Sequence, residues 1–360
     1  MIEIDGRRTI SRINENTVNG TDVSNDIKYI RDTKWSENDL LKANREYFKN
    51  TAAHSSIGFL IIDDSVMEKA GRPKHMEGLG WHFSHSKGKA VYGHCLVSSH
   101  YRYGDISFPY DFKFYMGEKE CKKSGTPFMT KIDIAREFIE NFQTFNDEKV
   151  YTLIDTWYTS KDVIASAKSR GFHVIGGLKS NRIFRLSENG CKHKLSTYAR
   201  NLRNASFDEI IINDAAYQVK RVNCFISGAG KVTILISKRK KDRSKRFILS
   251  TDTSLSSEEI LQYYSFRWDI ETGYLYCKDR LGIGHYQMRK MKAIKKYCAL
   301  IFSAFCYLEA LRLINNQLSI GQSRRIFKIK RKKDFIDKVA KLVRKGVSMK
   351  KIYQELKVAA

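Results

Sequence analysis

Two apolar runs in the first half of the chain end abruptly at acidic residues. The run Ser56–Ile62 stops at Asp63 and Asp64, and the run Val150–Ile154 stops at Asp155. Short apolar runs that are rich in β-branched residues and end at polar residues are typical of buried strands. We therefore expect two core strands, each with a carboxylate at its carboxyl end.

The segments around these runs predict further strands and helices. The predicted elements are strands over 89–99, 108–115 and 172–178 and helices over 131–142 and 160–170. The resulting series is a meander of three strands followed by helix, strand, helix and strand. This is the order expected of an α/β, ribonuclease-H-like fold.

The remaining segments differ from the core in their pattern of apolar and charged residues, and together with the core they suggest a division of the whole chain. Ser36 precedes two acidic residues, which is typical of a helix start, and short β-branched runs alternate with basic turns after residue 182. In chain order we predict a helical N-terminal region (1–54), the first part of the core (55–181), a mostly β insertion (182–256), the last part of the core (257–322) and a basic helical tail (323–360) with an amphipathic helix over 335–343.

The charge balance indicates a polyanionic partner. The chain carries 65 Lys and Arg against 39 Asp and Glu, a formal net charge of +26. Such a surplus repels itself, and nucleic acid is the partner that fits best because phosphate neutralisation releases counterions. The simpler alternative is a basic protein without such a partner.

The sequence favours a cytoplasmic location. Its start has no apolar core of a signal peptide, and the most apolar run, Tyr297–Ile314, is interrupted by Glu309 and Arg312, so we interpret it as a buried helix. The 7 cysteines are scattered without a CxxC pair, which is consistent with a reducing cytosol. We expect a bacterial or archaeal protein that associates with the nucleoid and not with a membrane.

A third acidic residue belongs to a polar pattern near residue 270. On a continuous helix, Tyr264, Arg267, Glu271 and Lys278 would fall within an arc of roughly 60°. Such a face suits phosphodiester chemistry, because a carboxylate can bind a metal while a guanidinium and an ammonium contact phosphate. The alternative is an ordinary ion pair between Arg267 and Glu271, which are four residues apart.

Three carboxylates in one site would need a counter-ion. Asp63, Asp155 and Glu271 would repel one another at neutral pH, and divalent cations would relieve that repulsion. Two magnesium ions ~3.5–4 Å apart can activate an attacking hydroxyl and stabilise a leaving oxygen. Trp157 and Tyr158, which follow the second acid, are expected to pack beneath the site.

The pattern Tyr264, Arg267, Glu271, Lys278 has the spacing Y-x2-R-x3-E-x6-K and resembles the signature of the insertion-sequence-4 group of DDE transposases. Leu60–Arg72 and Ile154–Arg182 are similar to that family's first and second aspartate regions, and the resemblance covers roughly residues 55–325. The family implies a ribonuclease-H-like core, a D-D-E triad, Mg²⁺ with Mn²⁺ as a substitute, and cut-and-paste transposition by a dimer on paired transposon ends. It also usually has a larger N-terminal DNA-binding domain than residues 1–54.

The family's functional residues transfer to matching positions. The resemblance makes Asp155 and Glu271 catalytic metal ligands, and Asp63 the first aspartate with Asp64 as the alternative. It makes Tyr264, Arg267 and Lys278 phosphate contacts, and Lys179 is a candidate DNA contact that could equally be a solvated lysine. We expect a DNA transposase that cleaves transposon ends and joins the 3′-hydroxyl to target DNA. The alternatives are a related nuclease without strand transfer and an inactive or truncated transposon-derived DNA-binding protein.

Overall fold

The computed structural model of the chain describes residues 1–17, 22–84, 87–239, 244–316 and 319–356. The chain divides into two compact units. The first, which we call the sheet unit, consists of Thr51–Val66 and His94–Thr272. The second, which we call the helical unit, consists of Met1–Asn50, Met67–Gly93 and Gly273–Ala360.

The first half of the chain contains the predicted strands and helices. Its elements are α1 Ile10–Glu15, α2 Val23–Asp32, α3 Glu37–Thr51, β1 Ile57–Glu68, β2 Gly80–Ser84, β3 Lys89–Tyr103, β4 Ile106–Tyr115, α4 Glu118–Ser124, α5 Lys131–Asn141, β5 Lys149–Ile154, α6 Lys161–Ser169 and β6 His173–Gly177. The short elements β2 and α4 were not predicted. Strand β1 also continues beyond Asp63, because its polar half still pairs within the sheet while its side chains become half-buried.

Local sequence signals explain where the two core helices begin. Thr130 and Asp133 form a reciprocal capping box at the start of α5, and the Ser160 side chain accepts the Val163 amide at the start of α6. The buried residues of α5 are Ile134, Ala135, Phe138 and Ile139, which recur at helical spacing and form one apolar face. These caps and this face fix two helices beside the parallel strands of the sheet.

The strands of the sheet unit form one continuous mixed sheet. Strands β1, β5 and β6 run parallel, with Ile62 paired to Ile154 and Ile154 paired to Gly176. Strand β3 lies beside β1 on the other side, and β4 pairs with β3. In β5 every residue after Lys149 is buried, as expected for a parallel strand covered on both faces.

The region after residue 182 extends the same sheet. Its elements are β7 Ile183–Arg185, β8 Lys192–Lys194, α7 Leu195–Arg200, a 3₁₀ turn Asn204–Ser206, β9 Asp208–Ile212, β10 Ala215–Ile226, β11 Gly230–Arg239 and β12 Arg246–Ser250. Strand β12 pairs antiparallel with β6, and the order continues through β11, β10, β7 and β8. The segment is therefore mostly β, as its β-branched runs predict.

The last third of the described chain is helical. Its elements are α8 Ser257–Ser265, α9 Trp268–Leu275, a π-helical segment Tyr276–Leu281, α10 Met291–Ile314, α11 Ile320–Arg344 and α12 Met349–Leu356. The predicted single helix through Tyr264 and Lys278 is wrong, because the chain turns at Phe266 and Arg267 and then widens into the π-helical segment. The predicted amphipathic helix over 335–343 is part of the longer α11.

Helix α10 is a core element of the helical unit. It is long and apolar enough to cross a membrane by length and composition, and 50% of its most apolar window is buried inside the protein. The hydroxyl of Tyr297 donates to the carbonyl oxygens of Arg8 and Gly282, at 2.7 and 2.9 Å. The ammonium of Lys296 donates to the Thr33 carbonyl at 2.7 Å. These contacts fit the buried helix that the sequence predicts.

Candidate active site

The strand register brings two of the predicted acids into one row. Because Ile62, Ile154 and Gly176 are register partners, the next residues along the three parallel strands are Asp63, Asp155 and Gly177. Neighbouring strands lie ~4.8 Å apart. The row lies at the carboxyl ends of β5 and β6, the edge at which open α/β sheets usually bind their ligands.

Asp155 is held by the turn that follows β5. Its Oδ1 accepts the amides of Trp157 and Tyr158, at 2.8 and 2.9 Å, and its carbonyl accepts the hydroxyl of Thr159 at 2.7 Å. Tyr158 is buried beneath the site, as predicted, but Trp157 is 47% exposed, so that part of the prediction is wrong. The turn points these two successive side chains in different directions.

Asp64 has a different set of partners from Asp63. Successive side chains of a strand point to opposite faces of the sheet. Asp64 accepts the ammonium of Lys131 at 2.7 Å and the hydroxyl of Tyr158 at 2.9 Å, and the thiol of Cys95 lies 3.4 Å away. The carboxylate of Asp64 is thus engaged on the side of Lys131. This supports Asp63 as the first aspartate of the candidate site.

The environment of Asp63 disfavours its charge. Burial raises the pKa of the Asp63 carboxyl to about 7, and the charge of Asp155 adds to this shift. The Asp64 amide, which donates to Asp63 at 2.8 Å, and the guanidinium of Arg267 act in the opposite direction without cancelling it. The charged form of Asp63 is therefore costly in the protein alone.

Arg267 lies between the first and third acids. Its Nη1 is 3.4 Å from Asp63 Oδ2, and its Nη2 is 2.5 Å from Glu271 Oε1. Burial acts to lower the pKa of this guanidinium, but Tyr264, Glu271 and Asp63 outweigh burial and raise it. The alternative interpretation of the sequence, an ion pair between Arg267 and Glu271, is confirmed. Arg267 pairs with Asp63 as well.

Tyr264 completes the site at the end of β6. Its ring centroid lies 5.8 Å from the Arg267 guanidinium carbon. A Cβ added to Gly177 would lie 2.9 Å from the Tyr264 hydroxyl and 2.5 Å from the hydroxyl of Thr156. Gly177 is therefore a site residue that the sequence reasoning missed. The Gly-Gly pair that ends a strand was its signal, because glycine in a strand often marks a close approach.

The remaining predicted DNA contacts are Lys278 and Lys179. Lys278 belongs to the helical unit and lies in its π-helical segment. Lys179 is exposed after β6 and lines an open cleft of about 450 Å³ together with Arg182. Arg182 Nη2 donates to the Thr159 carbonyl at 2.8 Å, which ties this cleft to the turn after Asp155. Arg182 is a second residue that the sequence reasoning did not select.

The donor set fits a hard divalent cation in its chemistry. Carboxylate oxygens are the ligands that Mg²⁺ prefers in proteins. The repulsion between Asp63 and Asp155 is what such a cation would relieve. Within the described residues, however, no group of three or more His, Cys, Asp or Glu side chains is placed to hold a metal ion. Glu271 is instead paired with Arg267 in this structure.

Comparison with known proteins gives a family assignment. A family model described as DDE superfamily endonuclease matches residues 4–223, which is more than half of the chain. The match includes Asp63 and Asp155 and ends before Glu271. No curated protein matches the chain. The chain therefore belongs to the DDE superfamily endonucleases, a class of nucleases and transposases that act on DNA and generally use divalent metals.

Proposed function

We propose that this protein is a DNA transposase whose catalytic metal ligands are Asp63, Asp155 and Glu271. It cleaves DNA at the ends of its element and joins the resulting 3′-hydroxyl to target DNA. The observation that carries the proposal is the row that places Asp63 beside Asp155, with Glu271 linked to Asp63 through Arg267. Family membership supports the nuclease chemistry, and the Y-x2-R-x3-E-x6-K spacing supports the insertion-sequence-4 group.

The proposed catalytic core is ribonuclease-H-like. The support is the neighbour order β4, β3, β1, β5, β6, in which the last three strands are parallel and joined through helices. In this arrangement the first two acids come from adjacent parallel strands, and the third comes from a later helix. The division into regions 1–54, 55–181, 182–256, 257–322 and 323–360 is kept as part of the proposal.

Each residue of the site has a proposed task toward DNA. Asp63, Asp155 and Glu271 would hold Mg²⁺ or Mn²⁺, which when bound supplies Lewis-acid activation of the attacking hydroxyl and stabilisation of the leaving oxygen. Arg267 would contact phosphate oxygens through both of its Nη groups. The functional groups proposed to contact the DNA backbone around the cleaved bond are those of Tyr264, Lys179 and Lys278. A homodimer on paired ends, in the bacterial or archaeal cytoplasm, completes the proposal.

A second candidate function has its own supporting observation. Arg267 is ion-paired with Glu271, and among the described residues no group of three or more His, Cys, Asp or Glu side chains is placed to hold a metal ion. A transposon-derived protein that binds DNA without cutting it would tolerate this arrangement. A nuclease that cuts without joining would share the same acids. The two experiments below separate these functions.

The first experiment measures nicking of supercoiled plasmid in Mg²⁺ or Mn²⁺. The wild type should nick the plasmid only with the metal, and Glu271→Gln and Asp155→Asn should each reduce the rate by at least ~100-fold. Asp269→Asn is the matched control, because Asp269 lies on the same helix and pairs with Arg102 at 2.9 Å. Wild-type protein that binds plasmid and its own flanking DNA but cuts neither would establish the binding protein instead.

The second experiment measures joining. A duplex with the element's own end and a free 3′-hydroxyl is incubated with plasmid and metal. Covalent transfer of the labelled strand to the plasmid, lost in Glu271→Gln, is the expected result. Nicking without any transfer would favour the nuclease without strand transfer.

A further inference from the structure

Arg267 occupies the position of a counter-ion between two proposed metal ligands. Its two terminal nitrogens are divided between different carboxylates, with Nη1 on Asp63 and Nη2 on Glu271. The side chains of Arg267 and Asp63 are each only 19% exposed. The guanidinium is thus a largely buried bridge between two carboxylates.

One guanidinium does not balance the acids around it. Among the described residues, Asp155 has no ion-pair partner, and its Oδ1 accepts only the amides of Trp157 and Tyr158. Arg267 thus offers one positive charge to three proposed metal ligands. Buried carboxylates are costly unless they are paired or bind a cation, so a dication satisfies this group better than the guanidinium does.

The Arg267 guanidinium and a divalent cation would compete for the same carboxylates. Arg267 contacts Oδ2 of Asp63 and Oε1 of Glu271, so it engages one oxygen of each of two carboxylates that would hold the cation. Two positive charges within a few ångströms also repel strongly where water is partly excluded.

A phosphate offers the guanidinium a second partner. The planar fork of an arginine matches phosphate oxygens as well as it matches carboxylates. Arg267 lies at the turn between α8 and α9, where its amide donates to the Tyr264 carbonyl at 3.2 Å, and its side chain reaches Asp63 in the row at the carboxyl edge of the parallel strands. DNA bound at this edge would present a phosphate to it.

We propose that Arg267 acts as a counter-ion that competes with the divalent cation for Asp63 and Glu271. When DNA binds, one of its phosphates pairs with the guanidinium, and the two carboxylates can then bind the cation. Metal and DNA then bind cooperatively, and each raises the affinity for the other by the same factor. The protein alone holds metal weakly, which restrains cleavage in the absence of correctly placed DNA. This inference rests on the proposed function, because it assumes the same carboxylates as metal ligands.

The test is the affinity of the full-length protein for Mn²⁺, measured from the EPR signal of free Mn²⁺ with and without a short duplex. The signal of duplex without protein is subtracted. Without DNA, Arg267→Gln should bind Mn²⁺ at least ~10-fold more tightly than the wild type. With DNA, the wild type should gain a similar factor, and the variant should gain much less.

Two further variants separate competition from a general structural effect. Arg267→Lys keeps a positive charge but cannot bridge two carboxylates, so its Mn²⁺ affinity should lie between those of the wild type and Arg267→Gln. Arg102→Gln is the matched control. Arg102 pairs with Asp269 at 2.9 Å and stacks on Phe266 at 4.2 Å, so its loss removes an arginine–carboxylate pair outside the triad. Arg102→Gln should leave Mn²⁺ affinity unchanged.

The contradicting outcomes are distinct. If the wild type binds Mn²⁺ and Arg267→Gln binds it equally or more weakly without DNA, the counter-ion role is wrong and the proposed function stands. If neither protein binds Mn²⁺ with or without DNA, the carboxylate metal site is wrong, and both proposals fall.

Discussion

Asp63 and Asp64 are neighbours in sequence, yet they have different partners in the structure. The apolar run before them gives no alternation, so the sequence could not decide which acid joins Asp155. The register of β1 with β5 and the Lys131 contact of Asp64 supply the missing information, because they depend on residues far apart in the chain. Residue pairs brought together by a sheet are not visible in a local pattern.

Replacing Asp63 or Asp64 with asparagine should therefore change different properties: metal-dependent nicking for Asp63 and stability for Asp64. Asp63→Asn should reduce metal-dependent nicking by at least ~100-fold and leave the Lys131 contact of Asp64 intact. Asp64→Asn should lower the free energy of unfolding by about 1–3 kcal/mol, because the amide keeps only one of the two acceptor oxygens that Lys131 and Tyr158 use and carries no charge for Lys131. Urea unfolding and nicking are measured for both variants. Retained nicking in Asp63→Asn with complete loss in a stably folded Asp64→Asn would assign the metal to Asp64.

His100 makes the stability of the sheet unit sensitive to acid. It lies opposite Pro109 at an irregularity of the β3–β4 ladder and is buried. Burial lowers the pKa of its imidazole from 6.5 to about 3. Below pH 6.5 the unfolded chain takes up a proton that the folded chain does not, so this contribution to stability is lost as the pH falls toward 3.

The measurement for His100 is urea unfolding across this pH range. In His100→Gln the decline of stability below pH 6.5 should be shallower than in the wild type, by up to about 1.4 kcal/mol per pH unit. At pH 8 both side chains are neutral, so the difference between the two proteins should no longer depend on pH. Equal acid slopes in both proteins would contradict this account.

At the scale of elements, the strands that carry the acids were the most predictable part. A few consecutive residues are enough to indicate a buried strand that ends at an acid. Val150–Ile154 lies in β5, and Asp155 begins the turn that follows this strand. The break between α8 and α9 was missed, because the face through Tyr264 and Lys278 assumes an uninterrupted 3.6-residue period. Neither glycine nor proline stands at that break, so no local signal in the sequence indicates it.

The packing at the end of β6 depends on Gly177 having no side chain. Gly177→Ala places a Cβ 2.5 Å from the Thr156 hydroxyl and 2.9 Å from the Tyr264 hydroxyl. We expect a loss of about 1–3 kcal/mol in the free energy of unfolding, because the new methyl overfills the site. Displacement of Tyr264 should also slow metal-dependent nicking by ~10- to 100-fold.

A second strand glycine supplies the control for this change. At Gly80 an added Cβ meets its nearest atom, His82 Nε2, at 3.5 Å, which is an ordinary contact. Gly80→Ala should keep the wild-type nicking rate. If Gly177→Ala nicks as fast as Gly80→Ala, the close approach of Tyr264 has no role in catalysis.

At the scale of the whole molecule, the net charge of +26 predicts strong, salt-dependent DNA binding. Helix α11 concentrates part of this charge, and its residues 329–338 are all exposed. Lys332→Gln with Lys333→Gln should make the slope of log affinity against log salt less negative by about 2. Fluorescence anisotropy of a labelled duplex over a series of salt concentrations measures this slope.

The matched control changes two lysines on a different element. Lys122 and Lys123 lie on α4 and pair with Glu118 and Glu120 on the same helix. Lys122→Gln with Lys123→Gln removes the same charge and should leave the salt slope close to that of the wild type. Equal slopes for both double variants would show that α11 contributes through net charge alone and not through phosphate contacts.

The central claim is that Asp63 and Asp155 hold a divalent cation at the carboxyl edge of the parallel strands. Anomalous diffraction from crystals of the full chain grown with Mn²⁺ and duplex DNA tests this most directly. The account predicts an anomalous peak in contact with carboxylate oxygens of both residues, with Arg267 on a phosphate. A peak at Asp64 and Lys131, or fully bound DNA with no peak in the row and Arg267 still on Glu271, would contradict it.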